Sequence, residues 1–85
     1  MAPRVSDDIK DYLMKEFLPG EDYGSVTDAT PLVTGGILDS IATLKLASFL
    51  EERYQIQIEP HELDTENLDS IAAIAKLVEG KLNRT

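Results

Sequence analysis

Apolar side chains recur along three stretches of the chain at the spacing of one helix face. In the first stretch Ile9, Leu13 and Phe17 lie four residues apart, and a Pro19-Gly20 pair follows. A proline-glycine pair ends a helix, and a serine before an apolar stripe is a common N-cap. The pattern therefore predicts a first helix that begins near Ser6, with Ser6 as its cap, and ends before Pro19.

Two later stretches carry wider apolar faces and predict two more long helices. The last helix begins around Asp69-Ser70, and the second runs from about Ser40 to Tyr54. The predicted apolar face of the second helix is composed of Ile41, Leu44, Leu46, Ala47, Phe49 and Leu50. Between these two helices, Pro60 suits the first turn of a short helix that extends through Glu62 to Asp64. The predicted fold class is all-α: a small antiparallel bundle of three main helices plus one short helix.

A long segment without helical periodicity, residues 19–39, separates the first two helices. Loops longer than about 12–15 residues are uncommon in compact domains, and they are usually functional or disordered. This loop contains five apolar residues that a disordered linker would lack: Val26, Leu32, Val33, Ile37 and Leu38. We therefore expect the loop to pack across the bundle.

Length, composition and charge restrict the classes of function and partner that the sequence favours. A chain of 85 residues predicts one domain, residues 1–85. The absence of cysteine excludes disulfides and thiolate chemistry, and the lack of a signal-peptide pattern or membrane-spanning run leads us to expect a cytoplasmic protein. The 16 acidic and 8 basic residues give a net charge of −8, which disfavours nucleic-acid and membrane partners and favours basic protein surfaces.

The candidate chemistry lies in a pentapeptide, Leu-Asp-Ser-Ile-Ala, that occurs twice, at 38–42 and at 68–72. An Asp-Ser pair before an apolar stripe ordinarily marks only a helix start. The second copy follows a short polar connection, and Ser70 is predicted to be a cap. The first copy follows Gly35-Gly36, and we expect Ser40 to face solvent at a helix start, where free N–H groups favour a phosphodiester.

The run from Thr34 to Leu44 resembles the phosphopantetheine attachment segment of acyl and peptidyl carrier proteins. That family has a Gly-x-x-Asp-Ser-Leu or Gly-x-x-Asp-Ser-Met core at the start of its second helix, and this chain has Gly36-Ile37-Leu38-Asp39-Ser40-Ile41 there. The similarity of layout extends over nearly the whole chain. The resemblance implies a cofactor site at Ser40 and Asp39, to which a transferase attaches 4′-phosphopantetheine from coenzyme A, so that the thiol of the arm carries an acyl or aminoacyl thioester.

The residues after the serine favour an aminoacyl cargo. Fatty-acid carriers have Leu at the first position after the serine and acids at the second and fifth, whereas this chain has Ile41, Ala42 and Lys45. The Gly-Ile-Leu-Asp-Ser segment is most similar to that of discrete aminoacyl carriers, such as those of non-ribosomal peptide synthesis and the D-alanyl carriers of cell-wall modification. The alternative within the family is a specialised acyl carrier for lipid or polyketide synthesis.

The same resemblance implies partners. We expect a phosphopantetheinyl transferase, an amino-acid or acyl adenylating ligase and a downstream acceptor enzyme to bind a monomeric carrier. The hypothesised partner surface is composed of Leu38, Ile41, Ala42, Lys45, Glu51 and Glu52.

The sequence also bears on three other classes of function. An enzyme is disfavoured because the one histidine, His61, has nothing that would orient it towards Ser40, so no catalytic residue is predicted. A metal site is disfavoured because the loop acids Glu21, Asp22 and Asp28 lack the spacing of a calcium-binding loop. A helical adaptor that never receives the arm stays open as an alternative.

Overall fold

The periodic apolar stretches form the three main helices. The computed structural model describes residues 5–20, 24 and 26–83, and it confirms the all-α class and the long loop. Helix α1 is Val5–Phe17 and helix α2 is Ser40–Tyr54. A 3₁₀ turn at Pro60–Glu62 and a single-turn helix α3, Thr65–Leu68, lead to helix α4, Ile71–Leu82.

The structure confirms the predicted boundaries of α1 and α2 except at the start of α1. The bounds of α2 and the end of α1 before Pro19 are confirmed, but Ser6 lies inside α1 and is not its cap. The reason is Val5, which is only 5% exposed and lies one helical repeat before Ile9. Its burial extends the apolar stripe of α1 towards the N-terminus, so the helix includes Ser6.

The connection before α4 is more helical than the sequence predicted. The short helix predicted through Asp64 is a 3₁₀ turn that ends at Glu62, and the segment expected to be a polar connection forms α3. Asp64 caps α3, because its carboxylate accepts a hydrogen bond from the backbone N–H of Asn67 at 3.0 Å. A single turn contains too few residues to show an apolar period, so the local cap is what defines this helix.

Helix α4 lies at the centre of the packing and contacts α1, α2 and α3. The largest fully buried side chains come from the four α-helices and from the loop: Ile9, Leu13, Leu32, Leu46, Leu50, Leu68, Ile71, Ile74 and Val78. The loop also buries Val26 and Leu38, which confirms that it packs across the bundle. No helix in the described part of the chain is long and apolar enough to cross a membrane.

Polar and aromatic contacts join α1 to α2 at their exposed seam. The carboxylate of Asp8 accepts hydrogen bonds from the Arg53 guanidinium at 3.0 Å and from the Tyr54 hydroxyl at 2.7 Å. The ring of Tyr12 stacks on that of Phe49, with centroids 4.1 Å apart. Partial burial, and then the hydrogen bond to Asp8, raises the pKa of Tyr54 above its ordinary value, so this hydroxyl keeps its proton as a donor.

Gly35 and Gly80 offer the same substitution with opposite expected effects. A methyl group at Gly35 would overlap the carbonyl oxygen of Pro31, so Gly35→Ala should lower the free energy of unfolding by about 1–3 kcal/mol. Gly80 lies within α4 with open space beside it, so Gly80→Ala should raise the free energy of unfolding by about 0.5–1 kcal/mol. Urea denaturation measures both changes. Equal midpoints for the two variants would contradict the loop geometry described here.

Candidate functional site at the start of α2

Asp39 is the N-cap of α2, and this leaves the side chain of Ser40 without a capping role. The backbone of Asp39 is extended, and its carboxylate accepts a hydrogen bond from the backbone N–H of Ala42 at 2.8 Å. This is the N-cap arrangement, so Ser40 is the first residue of the helix. Ser40 is exposed, and its hydroxyl forms no hydrogen bond with the described residues. The sequence predicted both the helix start and the exposure of Ser40.

The second copy of the pentapeptide is capped one residue later. Here Ser70 is the N-cap of α4, and its hydroxyl oxygen accepts a hydrogen bond from the backbone N–H of Ala73 at 3.1 Å. The predicted capping role of Ser70 is confirmed. Identical residues therefore have different roles: the cap is the aspartate in the first copy and the serine in the second, and only Ser40 presents a free hydroxyl.

Asp69 does not cap α4 because its carboxylate binds the loop. One carboxylate oxygen of Asp69 accepts hydrogen bonds from the backbone N–H groups of Val33 at 2.8 Å and Thr34 at 2.9 Å. The Thr34 hydroxyl donates to the other oxygen at 3.0 Å. The backbone N–H of Leu32 donates to the Asp69 carbonyl at 2.7 Å. These hydrogen bonds, chiefly the one from the Thr34 N–H, hold the pKa of Asp69 below its ordinary value.

A tight turn carries the chain from this contact to Ser40. The carbonyl of Leu32 accepts hydrogen bonds from the N–H groups of Ile37 at 2.8 Å and Leu38 at 2.9 Å. Gly36 has a φ of +85°, a left-handed conformation that favours glycine, and it completes the turn. Leu38 is 2% exposed and anchors the far side of the turn in the core, directly before Asp39.

A surface groove of about 640 Å³ lies beside Ser40, between the start of α2, the loop and α3. Its walls are mainly apolar and its rim is polar. The lining residues are Val33, Leu38, Asp39, Ser40, Thr43, Leu44, Leu63, Asp64, Thr65 and Leu68. A volume of this size falls within the range of small-molecule and cofactor sites, about 300–1,000 Å³.

The structure separates the hypothesised partner surface into exposed and buried residues. Ile41 is 63% exposed, and Lys45 and Glu52 are also exposed. Leu38 and Ala42 are buried, with 2% and 5% of their surfaces exposed, although Leu38 contributes to the wall of the groove.

Glu51 and Leu44 also differ from the sequence-based expectation. Glu51 is half-buried, and its carboxylate accepts a hydrogen bond from the backbone N–H of Ile58 at 2.8 Å, so it ties α2 to the following connector. Leu44 is 57% exposed, although the apolar pattern assigned it to the core face. The buried stripe is Ala42, Leu46 and Leu50, at four-residue spacing, and this spacing is the signal that identifies Leu44 and Ile41 as lying outside it.

The other candidate residues do not converge on the site. His61 is exposed in the 3₁₀ turn. Of the loop acids considered for a metal, Asp28 is exposed, and Glu21 and Asp22 lie outside the described residues. Within residues 5–20, 24 and 26–83, no group of three or more histidine or acidic side chains could hold a metal ion.

Ser40 presents an exposed hydroxyl beside two capping carboxylates. The carboxylates of Asp39 and Asp64 line the groove and accept hydrogen bonds from the backbone N–H groups of Ala42 and Asn67. The free N–H groups of the first turn of α2 do favour negative charge beside Ser40. An enzyme that brings its own base could therefore attach an anionic group here.

Comparison with known proteins identifies no family: no protein-family model matches the chain, and no curated protein matches it either. What can be said of the site therefore comes from the residues and the geometry described above.

The charge on Asp69 should make stability depend on pH. Because hydrogen bonds lower the pKa of Asp69 in the folded protein, its contribution is fully present above the ordinary pKa of about 4 and is lost as the pH falls through the folded value. Asp69→Asn should be less stable than wild type at about pH 7, and the difference should shrink towards about pH 3. Urea midpoints of the two proteins at both pH values measure this. A difference of the same size at both would contradict the assignment.

Proposed function

We propose that this protein is a carrier protein that holds an aminoacyl or acyl group as a thioester on a 4′-phosphopantetheine arm attached to Ser40. The observation that carries the proposal is the contrast between the two copies of the pentapeptide. Ser40 offers an exposed, unengaged hydroxyl at a helix start, whereas Ser70 uses its hydroxyl as a cap. The resemblance of residues 36–40 to the attachment motif supplies the identity of the arm.

The proposed modification balances as the transfer of a phosphopantetheinyl group, in which a phosphoanhydride bond of coenzyme A breaks and a phosphodiester forms. The Ser40 oxygen attacks the phosphorus of coenzyme A that bears the pantetheine, a new P–O bond forms, and the bond to the adenosine bisphosphate leaving group breaks. A base of the transferase takes the serine proton. The resulting anionic phosphodiester lies at the N-terminus of α2, a helix of 15 residues, where the helix dipole stabilises it.

Aminoacyl cargo is favoured over fatty-acid cargo by the residues that follow Ser40. Lys45 is exposed, so it would repel the basic surfaces with which fatty-acid synthases meet their carriers. Ala42 is buried and offers no charge at all. The second candidate is a specialised acyl carrier, and the apolar walls of the groove beside Ser40 favour it.

The partner enzymes in this proposal meet the exposed apolar pair Ile41 and Leu44, with Lys45 and Glu52 around it. They are the phosphopantetheinyl transferase, the adenylating ligase and the acceptor enzyme, and the proposal includes a cytoplasmic, monomeric carrier. Large exposed apolar side chains beside the attachment point are suited to brief contacts with several enzymes in turn.

Ser40→Ala should abolish modification and Ser70→Ala should preserve it. The protein is incubated with coenzyme A and a phosphopantetheinyl transferase of broad specificity, and its intact mass is measured. Wild type should gain the mass of one arm, because of the two pentapeptide serines Ser40 has the exposed, free hydroxyl and Ser70 uses its hydroxyl as a cap. A wild-type protein that gains no mass would support the unmodified adaptor, and a gain that survives Ser40→Ala would place the arm elsewhere.

Replacing Ile41 and Leu44 together with alanine should weaken use of the protein by the transferase. Loss of this apolar contact should lower kcat/KM roughly tenfold, which corresponds to about 1.4 kcal/mol. The side chains are 63% and 57% exposed, so the urea midpoint should stay close to that of wild type. An unchanged kcat/KM would exclude this pair from the transferase contact.

A further inference from the structure

The carboxylate of Asp69 binds the loop and caps neither of the two neighbouring helices. Ser70 caps α4, and Asp64 caps α3, so the Asp69 side chain serves no helix start. Its three donors are the Val33 N–H, the Thr34 N–H and the Thr34 hydroxyl, which lie 35 or 36 residues away in the chain. A half-exposed acid that gathers three donors from one dipeptide fixes the position of that dipeptide.

That dipeptide is coupled to Ser40 by a short, constrained path. The hydrogen bonds from Ile37 and Leu38 to the Leu32 carbonyl close a turn that contains Val33 and Thr34. Leu38 is then buried, and Asp39 caps α2 in the next position. The approach of the chain to Ser40 is therefore held at two points, by Asp69 on one side of the turn and by the core on the other.

Asp69 also joins two walls of the groove beside Ser40. Val33, which it holds, lines the groove, and so does Leu68, its neighbour in sequence. The backbone N–H of Leu32 also donates to the Asp69 carbonyl, which reinforces the side-chain contact. Without the carboxylate, the donor groups of Val33 and Thr34 lose their hydrogen-bond acceptor, while the apolar core around α4 stays intact.

We propose that Asp69 is a positioning residue for the modification of Ser40. It fixes the Val33–Thr34 segment so that the loop and the groove wall are presented to the transferase in one arrangement. This inference rests on the proposed function, because it concerns how the same site is recognised. Asp69 itself touches neither the serine hydroxyl nor any reacting atom, and its effect is expected on binding of the carrier protein by the transferase.

Asp8 provides a matched control at the far end of α2. It is also an aspartate whose carboxylate gathers side-chain donors, those of Arg53 and Tyr54. Ser40 and Tyr54 are the first and last residues of α2, so they lie about 21 Å apart at 1.5 Å per residue. Asp8→Ala should cost stability as Asp69→Ala does, without disturbing the loop.

The test measures kcat and KM of the transferase for the wild-type protein, Asp69→Ala, Asp69→Asn and Asp8→Ala, each confirmed to be folded by circular dichroism. Asp69→Ala should raise KM by about tenfold with kcat changed less than about threefold, the signature of lost binding. Asp69→Asn should stay within about threefold of the wild-type KM, because an amide oxygen can accept from the same two N–H groups. Asp8→Ala should have the wild-type KM.

Amide hydrogen exchange gives an independent readout on the full protein. The N–H groups of Val33 and Thr34 should exchange faster in Asp69→Ala than in Asp8→Ala, because only the first variant removes their acceptor. Unchanged exchange at both amides in Asp69→Ala overturns the inference, and so does a wild-type KM for that variant. An equal rise in KM for Asp8→Ala overturns it as well, because the effect would then be general destabilisation. Failure of wild type to accept the arm overturns the proposed function instead, and with it the role of Asp69 in modification.

Discussion

The apolar face of α4 is the surface on which the rest of the protein depends. Helices α1, α2 and α3 all contact α4, whose Ile71, Ile74 and Val78 are fully buried. Burial of one such side chain contributes about 1.5–3 kcal/mol, and a chain of 85 residues has few of them. The long loop therefore has to join the core as well, and Leu32 does so. The start of α4 consequently lies where the loop crosses the bundle.

This crossing explains why one pentapeptide behaves in two ways. The first turn of any helix leaves N–H groups that need an acceptor, and Asp and Ser are both competent caps. At α2 the Asp39 carboxylate accepts from the Ala42 N–H and from no other donor among the described residues, so the aspartate caps and the serine is left free. At α4 the loop amides of Val33 and Thr34 take the aspartate, and Ser70 has to cap. The difference between the two serines is therefore tertiary, since their local sequences are identical.

The difference between local and tertiary interactions also separates what the sequence could predict from what it could not. The bounds of α2 and the end of α1 depend on neighbours within a few residues, and patterns of spacing capture them. The exposed position of Ser40 was also predicted, from the glycines before it. The contact of Asp69 with residues 33–34 was not, because no local pattern connects groups 35 residues apart. Leu44 was misassigned for a different reason: it is apolar like its neighbours, and only the packing geometry shows which apolar face lies against α4.

The contacts of the acidic side chains change the interpretation of the net charge. Several carboxylates accept hydrogen bonds from backbone or side-chain donors within the described structure, among them Asp8, Asp39, Glu51, Glu62, Asp64 and Asp69. A charge of −8 suggests a surface that attracts basic partners, but these acids also satisfy donors that the helices and the loop leave open. Around Ser40 the acid Asp39 is committed to its cap, and the prominent exposed groups are Ile41, Leu44 and Lys45. In the proposed function, recognition at this site depends on apolar contact and on the fixed shape of the loop, and the charge of Lys45 acts against basic surfaces.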